Sequence, residues 1–444
     1  MTNVEIVFKW YVFFAVFSLI VYIPRIFYWL SGFKKQKKLH NSKKNKFAIL
    51  VPARNESAGI KFLLESLKNQ TYEHKYFDTF IIVNDENDPT CQIAKNYEYT
   101  KVQVVKNQTC KGEALDGSLK EILSDSEKKD YAAYIIVDGD NIVDSHFVEE
   151  MNNSLLLDKQ IVLGKREIKN YLFDKKMRSL ATNCSSMIYT FIDKLGNSYR
   201  SKNEIPCTMC GTGVMIRRDV IEQLGGWPYR SYTEDLEMTI NCILNDWSTY
   251  FYEHAITYTE EPLSHSMANE RRKRWVLGYM QIMFKYRPKI VKQTYAPIFD
   301  NSLDFSERLK EIKSENFDYL YSLSPFILYM VDTVLAFLIF ANAFVYKYVV
   351  KGVLSFVPLK YAFFVLAVAY FVLVFYTAVG FLVERKAFKI SFFEKIKVLF
   401  FNPIFMSEWA IFYVSAFLKL IKNPNVNPKD AWKPIVRIEN SSSD

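Results

Sequence analysis

Two aspartates, Asp138 and Asp140, close the apolar run in "IIVDGDNIVD" at residues 135–144. Acids this close repel one another and lose hydration beside a buried strand, so a cation between them is expected. In an extended chain residues i and i+2 point the same way, and Gly139 lets a ligand's oxygens come close. Hard divalent cations, Mg²⁺ or Mn²⁺, take one or two such carboxylates and complete their shell with phosphate oxygens. The pair therefore reads as the holder of a metal ion that in turn holds a diphosphate. An ordinary acidic loop is the competing reading.

Two later segments could also do chemistry. "SYTEDLEMTINCILN" (231–245) reads as a helix start, with Ser231 and Glu234 forming a capping box or Thr233 capping instead. Leu236, Ile240, Ile243 and Leu244 make its expected buried stripe. Asp235 falls in the first turn, where the helix dipole favours the ionised form, and an ionised carboxylate at the mouth of a cleft can serve as general base. "NERRKRWVLG" (269–278) sets four cations, Arg271 to Arg274, before Trp275. Arginine forks match phosphate oxygens, and tryptophan offers a flat apolar face with a donor. A basic amphipathic helix lying on a membrane would look similar.

The elements that must position these groups alternate from residue 47. "FAILV" (47–51), "TFIIVN" (79–84), "KVQVV" (101–105) and "AAYIIVD" (132–138) read as strands. Between them, "SAGIKFLLESLKNQ", "TCQIAKNYE" and "GEALDGSLKEIL" have helical spacing. Near-continuous apolar strands alternating with helices indicate a parallel sheet covered on both faces, and in such sheets ligands bind beyond the carboxyl ends of the strands. "PARNE" (52–56), Asn84-Asp85-Glu86 and Asp138-Gly139-Asp140 occupy those ends.

The chain has 444 residues, half of them hydrophobic, and its apolar content is uneven. Residues 10–23 carry no charge and with their apolar flanks reach the ~20 residues that span a bilayer, and 323–346 and 359–383 are similar. The stretch 398–421, broken by Pro403 and Glu408 and flanked by lysines on both sides, reads as re-entrant or interfacial rather than a complete crossing. Asp332, inside the second span, is expected to face a bundle interior or to pair locally. "SGFKKQKKLHNSKKNK" holds seven lysines and no acid, which places the middle of the chain on the cytoplasmic side. That collar explains part of the net charge of +9 and favours anionic membrane lipid over nucleic acid as its partner. "CTMC" (207–210) lacks the further ligands of a zinc site.

Taken in order, PARNE, VND, KGEAL, VDGDN, CGTGVMIRR, TED and RRKRW resemble the membrane-bound family 2 glycosyltransferases, which include cellulose, chitin, hyaluronan and poly-N-acetylglucosamine synthases. The resemblance covers about residues 47–278 and the flanking spans. It implies an α/β fold, a cytosolic GT-A (Rossmann-like) domain at 47–285 inserted between transmembrane helices. Around that domain lie an N-terminal helix (1–30), the collar (31–46), interfacial helices (286–320), a membrane region (321–421) and a cytoplasmic tail (422–444). The tail's "WKPIVR" (432–437) loosely resembles the tryptophan-containing tail of related synthases.

By position, the resemblance gives Asp85 the donor's uracil and ribose, beside Ala53, Asn55, Glu56 and Asp138, and gives Lys111 the diphosphate. Asp138 and Asp140 become the metal acids, with Asp140 the closer ligand, and Asp235 the catalytic base. Cys210, Gly211 and Thr212 take the acceptor-site motif, and Glu234, Arg271, Arg274 and Trp275 contact acceptor or diphosphate. The implied activity is inverting transfer from a UDP-sugar to a growing β-linked polysaccharide, with Mg²⁺ or Mn²⁺. Alternatives are single transfer to a lipid, giving a glycolipid, and a non-catalytic transporter or channel. "NDENDPT" departs from the family's usual Ser-Thr-Asp wording, and Arg271 stands where glutamine is commoner.

Overall fold

The structure is a computed structural model that describes residues 25–125, 130–300 and 356–423, with a few isolated positions besides. In chain order its elements are α1 (Arg25–Gly32), β1 (Phe47–Pro52), α2 (Ile60–Lys68), β2 (Phe77–Val83), α3 (Pro89–Ala94), β3 (Thr100–Val104), α4 (Lys111–Ser124) and β4 (Ala133–Ile136). There follow β5 (Ile142–Val143), α5 (Phe147–Ser154), β6 (Ile161–Ile168), α6 (Leu180–Tyr189), a π-helix (Thr190–Asn197) and α7 (Ser198–Lys202). The last group is β7 (Val214–Arg217), α8 (Arg218–Leu224), α9 (Glu234–Leu244), β8 (Thr249–Thr259), α10 (His265–Tyr295), α11 (Phe356–Val383) and α12 (Phe392–Lys422).

Strand β1 has no polar side chain, and the pleat sends successive residues to opposite faces. Phe47, Ile49 and Val51 meet the stripe Ile60, Leu63, Leu64 and Leu67 of α2 on one side. Ala48 and Leu50 meet Leu115 and Leu119 of α4 on the other. The eight strands run in the order β3-β2-β1-β4-β7-β6-β8-β5. Strands β1 to β4 are parallel as the alternation suggests, but β7 is antiparallel to both β4 and β6, and β5 to β8. The sheet is therefore mixed, and the expected all-parallel sheet holds only for its first half. The reversal has a consequence for the site: because Ile136 pairs with Val214, the residues that follow β4 lie beside those that precede β7.

Past the sheet, α10 packs on α12 through Val276, Leu277 and Met280 against Phe412, Ala416 and Leu420, and one ion pair joins the same contact. Arg272, 1% exposed, bonds to Glu408, Asn269 and the Phe405 carbonyl, while its guanidinium stacks 3.5 Å over the Phe405 ring. His265 also reaches Glu408, at 2.9 Å. The break expected at Pro403 and Glu408 is absent: α12 runs unbroken through Pro403. Next to the proline, Asn402 donates to Thr377 of α11 at 2.9 Å, so the buried amide has a partner there. Helix α12 is the helix among the described residues long and apolar enough to cross a membrane. Residues 10–23 as a span, 323–346 with Asp332, most of 300–320 and the 432–437 tail lie outside the described residues.

Removing Glu408 strands a buried guanidinium, the costly way to break such a pair. Glu408→Ala should destabilise the purified protein by about 3 kcal/mol, and Glu408→Gln by less, read as thermal or denaturant unfolding. Equal unfolding of wild type and both variants would show that this pair does not hold α12.

Candidate active site

A cavity of about 580 Å³ opens where β1 and β4 end. Ala53, Glu56, Lys111, Asp138, Asp140, Cys210, Gly211, Thr212, Glu234, Asp235, Arg271, Arg274 and Trp275 all line it. Residues from six of the seven sequence segments thus converge. Asn55 and Asp85 do not join the lining. Asn55 turns away at φ 55° with its N–H donated to Asp88 at 2.8 Å, and exposed Asp85 accepts from the Asn87 backbone at 2.9 Å.

The centre of the cavity is an ammonium among carboxylates. Lys111 Nζ donates to Asp138 Oδ1 and to the Gly211 carbonyl, both at 2.6 Å, and lies 3.6 Å from Glu234 Oε1. Burial alone would depress this lysine, but Asp138, Glu234 and Asp235 outweigh it and raise its pKa well above the usual range. Lys111 starts α4, and its neighbour must be glycine: a Cβ on Gly112 would sit 1.9 Å from the Tyr229 carbonyl. Gly211 holds φ +73°, and a Cβ there would lie 3.3 Å from both Asp235 Oδ2 and Lys111 Nζ.

Strand β4 stops at Ile136, and Asp138–Asp140 form a turn closed by Asn141 N–H on the Asp138 carbonyl at 3.1 Å. That turn, rather than the strand's pleat, brings both acids to the cavity. Thr212, placed beside it by the β4–β7 reversal, accepts from Asp138 N–H at 3.1 Å and from Asn141 Nδ2 at 2.6 Å. Asp138 and Asp140 offer hard oxygen donors, the type that Mg²⁺ and Mn²⁺ prefer. No group of three His, Cys, Asp or Glu able to enclose an ion occurs among the described residues. The donor set therefore fits an ion that shares its shell with a ligand's phosphate oxygens.

Helix α9 begins at Glu234 with Thr233 as N-cap; the Ser231–Glu234 capping box does not form, and Thr233 makes no side-chain cap bond. Burial pushes Glu234 up to about 7, with Lys111 opposing and Asp235 adding to the rise. Asp235 is raised in the same way, by burial against the pull of Lys111. A buried carboxylate whose pKa approaches neutrality is suited to take a proton. Cys210 is pushed up to about 12 by burial, with Arg166 opposing, so it stays a neutral thiol in the wall.

From α10 come Arg271, Arg274 and Trp275. Arg271 pairs with Glu261 and lies 4.8 Å over the Trp275 ring. Arg274 makes no ion pair among the described residues, and burial beside Arg271 lowers its pKa. An arginine in a cavity with no carboxylate of its own is a site for anionic oxygens.

The sequence reading missed several lining residues. Arg166 is held by Asp193 at 2.7 and 3.0 Å and stacks 4.3 Å over Tyr189. Glu260 and Glu261 follow β8, and Trp409 and Tyr413 come from α12. Trp409 Nε1 and Thr233 Oγ1 are buried without a hydrogen-bond partner. The available signal was the pair of aromatics one turn apart beside Glu408; nothing local marks Arg166.

A family profile described as "Glycosyltransferase like family 2" matches residues 44–278. Similar curated proteins include the probable glycosyltransferase YdaM of Bacillus subtilis, 25% identical over 253 residues that cover 56% of this chain and 58% of that protein. Another is the beta-monoglucosyldiacylglycerol synthase of a Nostoc species, 25% identical over 55% of this chain and 51% of that protein. The cellulose synthase catalytic subunit of Komagataeibacter sucrofermentans is 26% identical over 33% of this chain and 20% of that protein. The chain thus spans about half the length of the first two relatives. Among solved structures, the mannosyltransferase PcManGT of Pyrobaculum calidifontis, in complex with GDP-Man and Mn²⁺, superposes with a TM-score of 0.54. It is 13% identical, covers 94% of this chain and 99% of its own, and has the same GT-A-like α/β fold.

Arg274→Met should weaken binding of a nucleoside diphosphate by about tenfold or more, since a hydrogen bond to a charged group contributes ~1.5–3 kcal/mol. Thermal stability should hardly change, because Arg274 supports no ion pair. Titration calorimetry with UDP, beside a melting curve, checks both; unaltered UDP affinity would remove Arg274 from the anion site.

Proposed function

This chain belongs to the glycosyltransferase-like family 2, and we propose that it transfers a sugar from a UDP-sugar to the end of a growing β-linked polysaccharide with inversion. The observation that carries the reading is the cavity itself, in which a half-buried carboxylate, Asp235, faces the same space as Lys111, Arg271 and Arg274. A proton acceptor beside three cations is what displacement of a diphosphate requires.

In that reaction the acceptor hydroxyl gives its proton to Asp235 as its oxygen attacks the anomeric carbon. The bond to the diphosphate oxygen breaks on the opposite face, and the nucleoside diphosphate leaves with the electron pair. Lys111 and Arg274 hold the charge that develops on it, and Arg271 orients Trp275 beneath the acceptor. A divalent ion held by Asp138 and Asp140 supplies further positive charge to the diphosphate when bound. Thr233 Oγ1 and Trp409 Nε1, buried and unpartnered, suit the hydroxyls of an acceptor sugar. Charge already in position supplies the larger part of the acceleration.

One transfer to a lipid acceptor is the second reading, and it has its own support. Trp409 and Tyr413 sit on α12, whose Phe400, Phe401, Ile404, Ile411, Leu418 and Ile421 are exposed. An apolar face of that size fits a bilayer, so membrane placement with the catalytic part cytoplasmic belongs to this proposal. Both readings are enzymatic, and the family membership removes the transporter alternative.

Purified protein incubated with UDP-sugars and Mg²⁺ or Mn²⁺ separates the two: high-mass polymer supports the first and a single glycolipid the second. Absence of metal-dependent UDP release would overturn both. Asp235→Asn should lower turnover by about 10²–10⁴-fold while UDP binding persists. Turnover should also fall with acidity. Because burial raises the pKa of both Glu234 and Asp235, the base is protonated at a pH where an ordinary aspartate is still ionised. The acid limb of the rate should lie above the ordinary aspartate value of 3.8, because burial raises Asp235. A rate constant down to pH 4 would contradict that perturbation.

A further inference from the structure

Lys169 stands just past β6, and its side chain is wholly buried, 0% exposed. Burying an ammonium costs several kcal/mol unless geometry repays it, so its contacts show what it is for. Nζ donates to the backbone carbonyl of Asp140 at 2.7 Å and to Glu260 Oε2 at 3.1 Å, and lies 4.7 Å over the Phe62 ring. The next residue repeats the attachment: Asn170 accepts from Glu261 N–H at 2.7 Å and donates to the Glu261 carbonyl at 3.1 Å. From the same Glu260–Glu261 segment, the Glu260 carbonyl accepts from Arg271 at 3.3 Å, and the Glu261 carboxylate pairs with that arginine. On its other side the turn is closed by α2, since a Cβ on Gly59 would lie 3.0 Å from the Asp140 Cα.

We propose that Lys169 is a positioning residue that locks the Asp140 turn to Glu260, so that the metal carboxylate and the arginine arm of α10 are presented as one unit. The ammonium touches neither substrate nor ion. It fixes the backbone that aims the Asp140 carboxylate, and it neutralises Glu260, which would otherwise be a second buried acid behind the ion. This role rests on the donor reading given above.

The test is a titration of purified protein with Mn²⁺, with and without UDP, followed by electron paramagnetic resonance of unbound Mn²⁺. Lys169→Met should weaken Mn²⁺ binding in the presence of UDP by about 10–100-fold, the usual effect of removing a partner that orients a ligand. Lys169→Arg, which keeps a charged donor, should recover part of that loss, and Glu260→Gln should shift affinity in the same direction by less. A folded Lys169→Met protein with wild-type Mn²⁺ affinity overturns the role. If that variant does not fold by circular dichroism, Glu260→Gln decides, and unchanged affinity there overturns it equally. Wild-type protein that binds no Mn²⁺ with UDP overturns the donor reading itself, whereas wild-type binding matched by Lys169→Met overturns only the role of Lys169.

Discussion

Everything in the cavity is arranged around the charge of Lys111. Asp138, Glu234 and Asp235 are acids within one low-dielectric space, where like charges repel far more than in water. The ammonium sits between Asp138 and two acids whose pKa values burial raises, and it offsets part of their mutual repulsion. A lysine can reach this point only if its backbone comes very close to neighbouring chain, which is why Gly112 abuts the Tyr229 carbonyl and Gly211 adopts a left-handed turn. Both glycines serve a charge contact rather than a turn for its own sake.

The mixed sheet follows from the same requirement. In a fully parallel sheet, the acids after β4 would face only the ends of other parallel strands. The antiparallel return of β7 lays Cys210–Thr212 alongside them, giving Lys111 a carbonyl and Asp138 a hydroxyl. Further out, α10 carries its arginines into the cavity while Arg272, on another side of the helix, anchors α12 through Glu408. Consecutive residues of "RRKRW" thus divide the labour: Arg271 and Arg274 face the cavity and Arg272 the helix contact. A helical period of 3.6 separates them in this way without any loop.

Much of this was legible locally. The stripe of α2 and the strand at 47–51 rest on periodicity alone, and burial matches them residue by residue. The convergence of Asp138, Asp140 and Asp235 followed from their position at element ends, and that of Arg274 from the family resemblance and the match of arginine to phosphate. What escaped was whatever depends on pairing between distant segments. "VMIR" at β7 has no signal that sets its direction, so the reversal was invisible. Lys169 and Arg166 look like ordinary surface cations, because their burial is decided by Glu260 and Asp193, 91 and 27 residues away. Pro403 suggested a break, but packing against α11 and α10 overrides a single missing backbone donor.

The cavity has two unlike ends, and they come from different parts of the chain. Its charged end is built from Lys111, Asp138, Asp140, Asp235 and Arg274, all within the matched stretch 44–278. Part of its aromatic end, Trp409 and Tyr413, comes from α12, far beyond that stretch. Relatives named for diacylglycerol and for cellulose products align with this chain only over part of their length, while the chemistry at a sugar's anomeric carbon is common to both. On the proposed function, the charges within the matched stretch handle the departing diphosphate, and a separately packed helix meets the acceptor. The Arg272–Glu408 pair, with the apolar cluster of Val276, Leu277, Met280, Phe412, Ala416 and Leu420, is then the joint between the two. On that proposal, a change in α12 would alter the aromatic end while leaving the carboxylates and cations of the charged end in place.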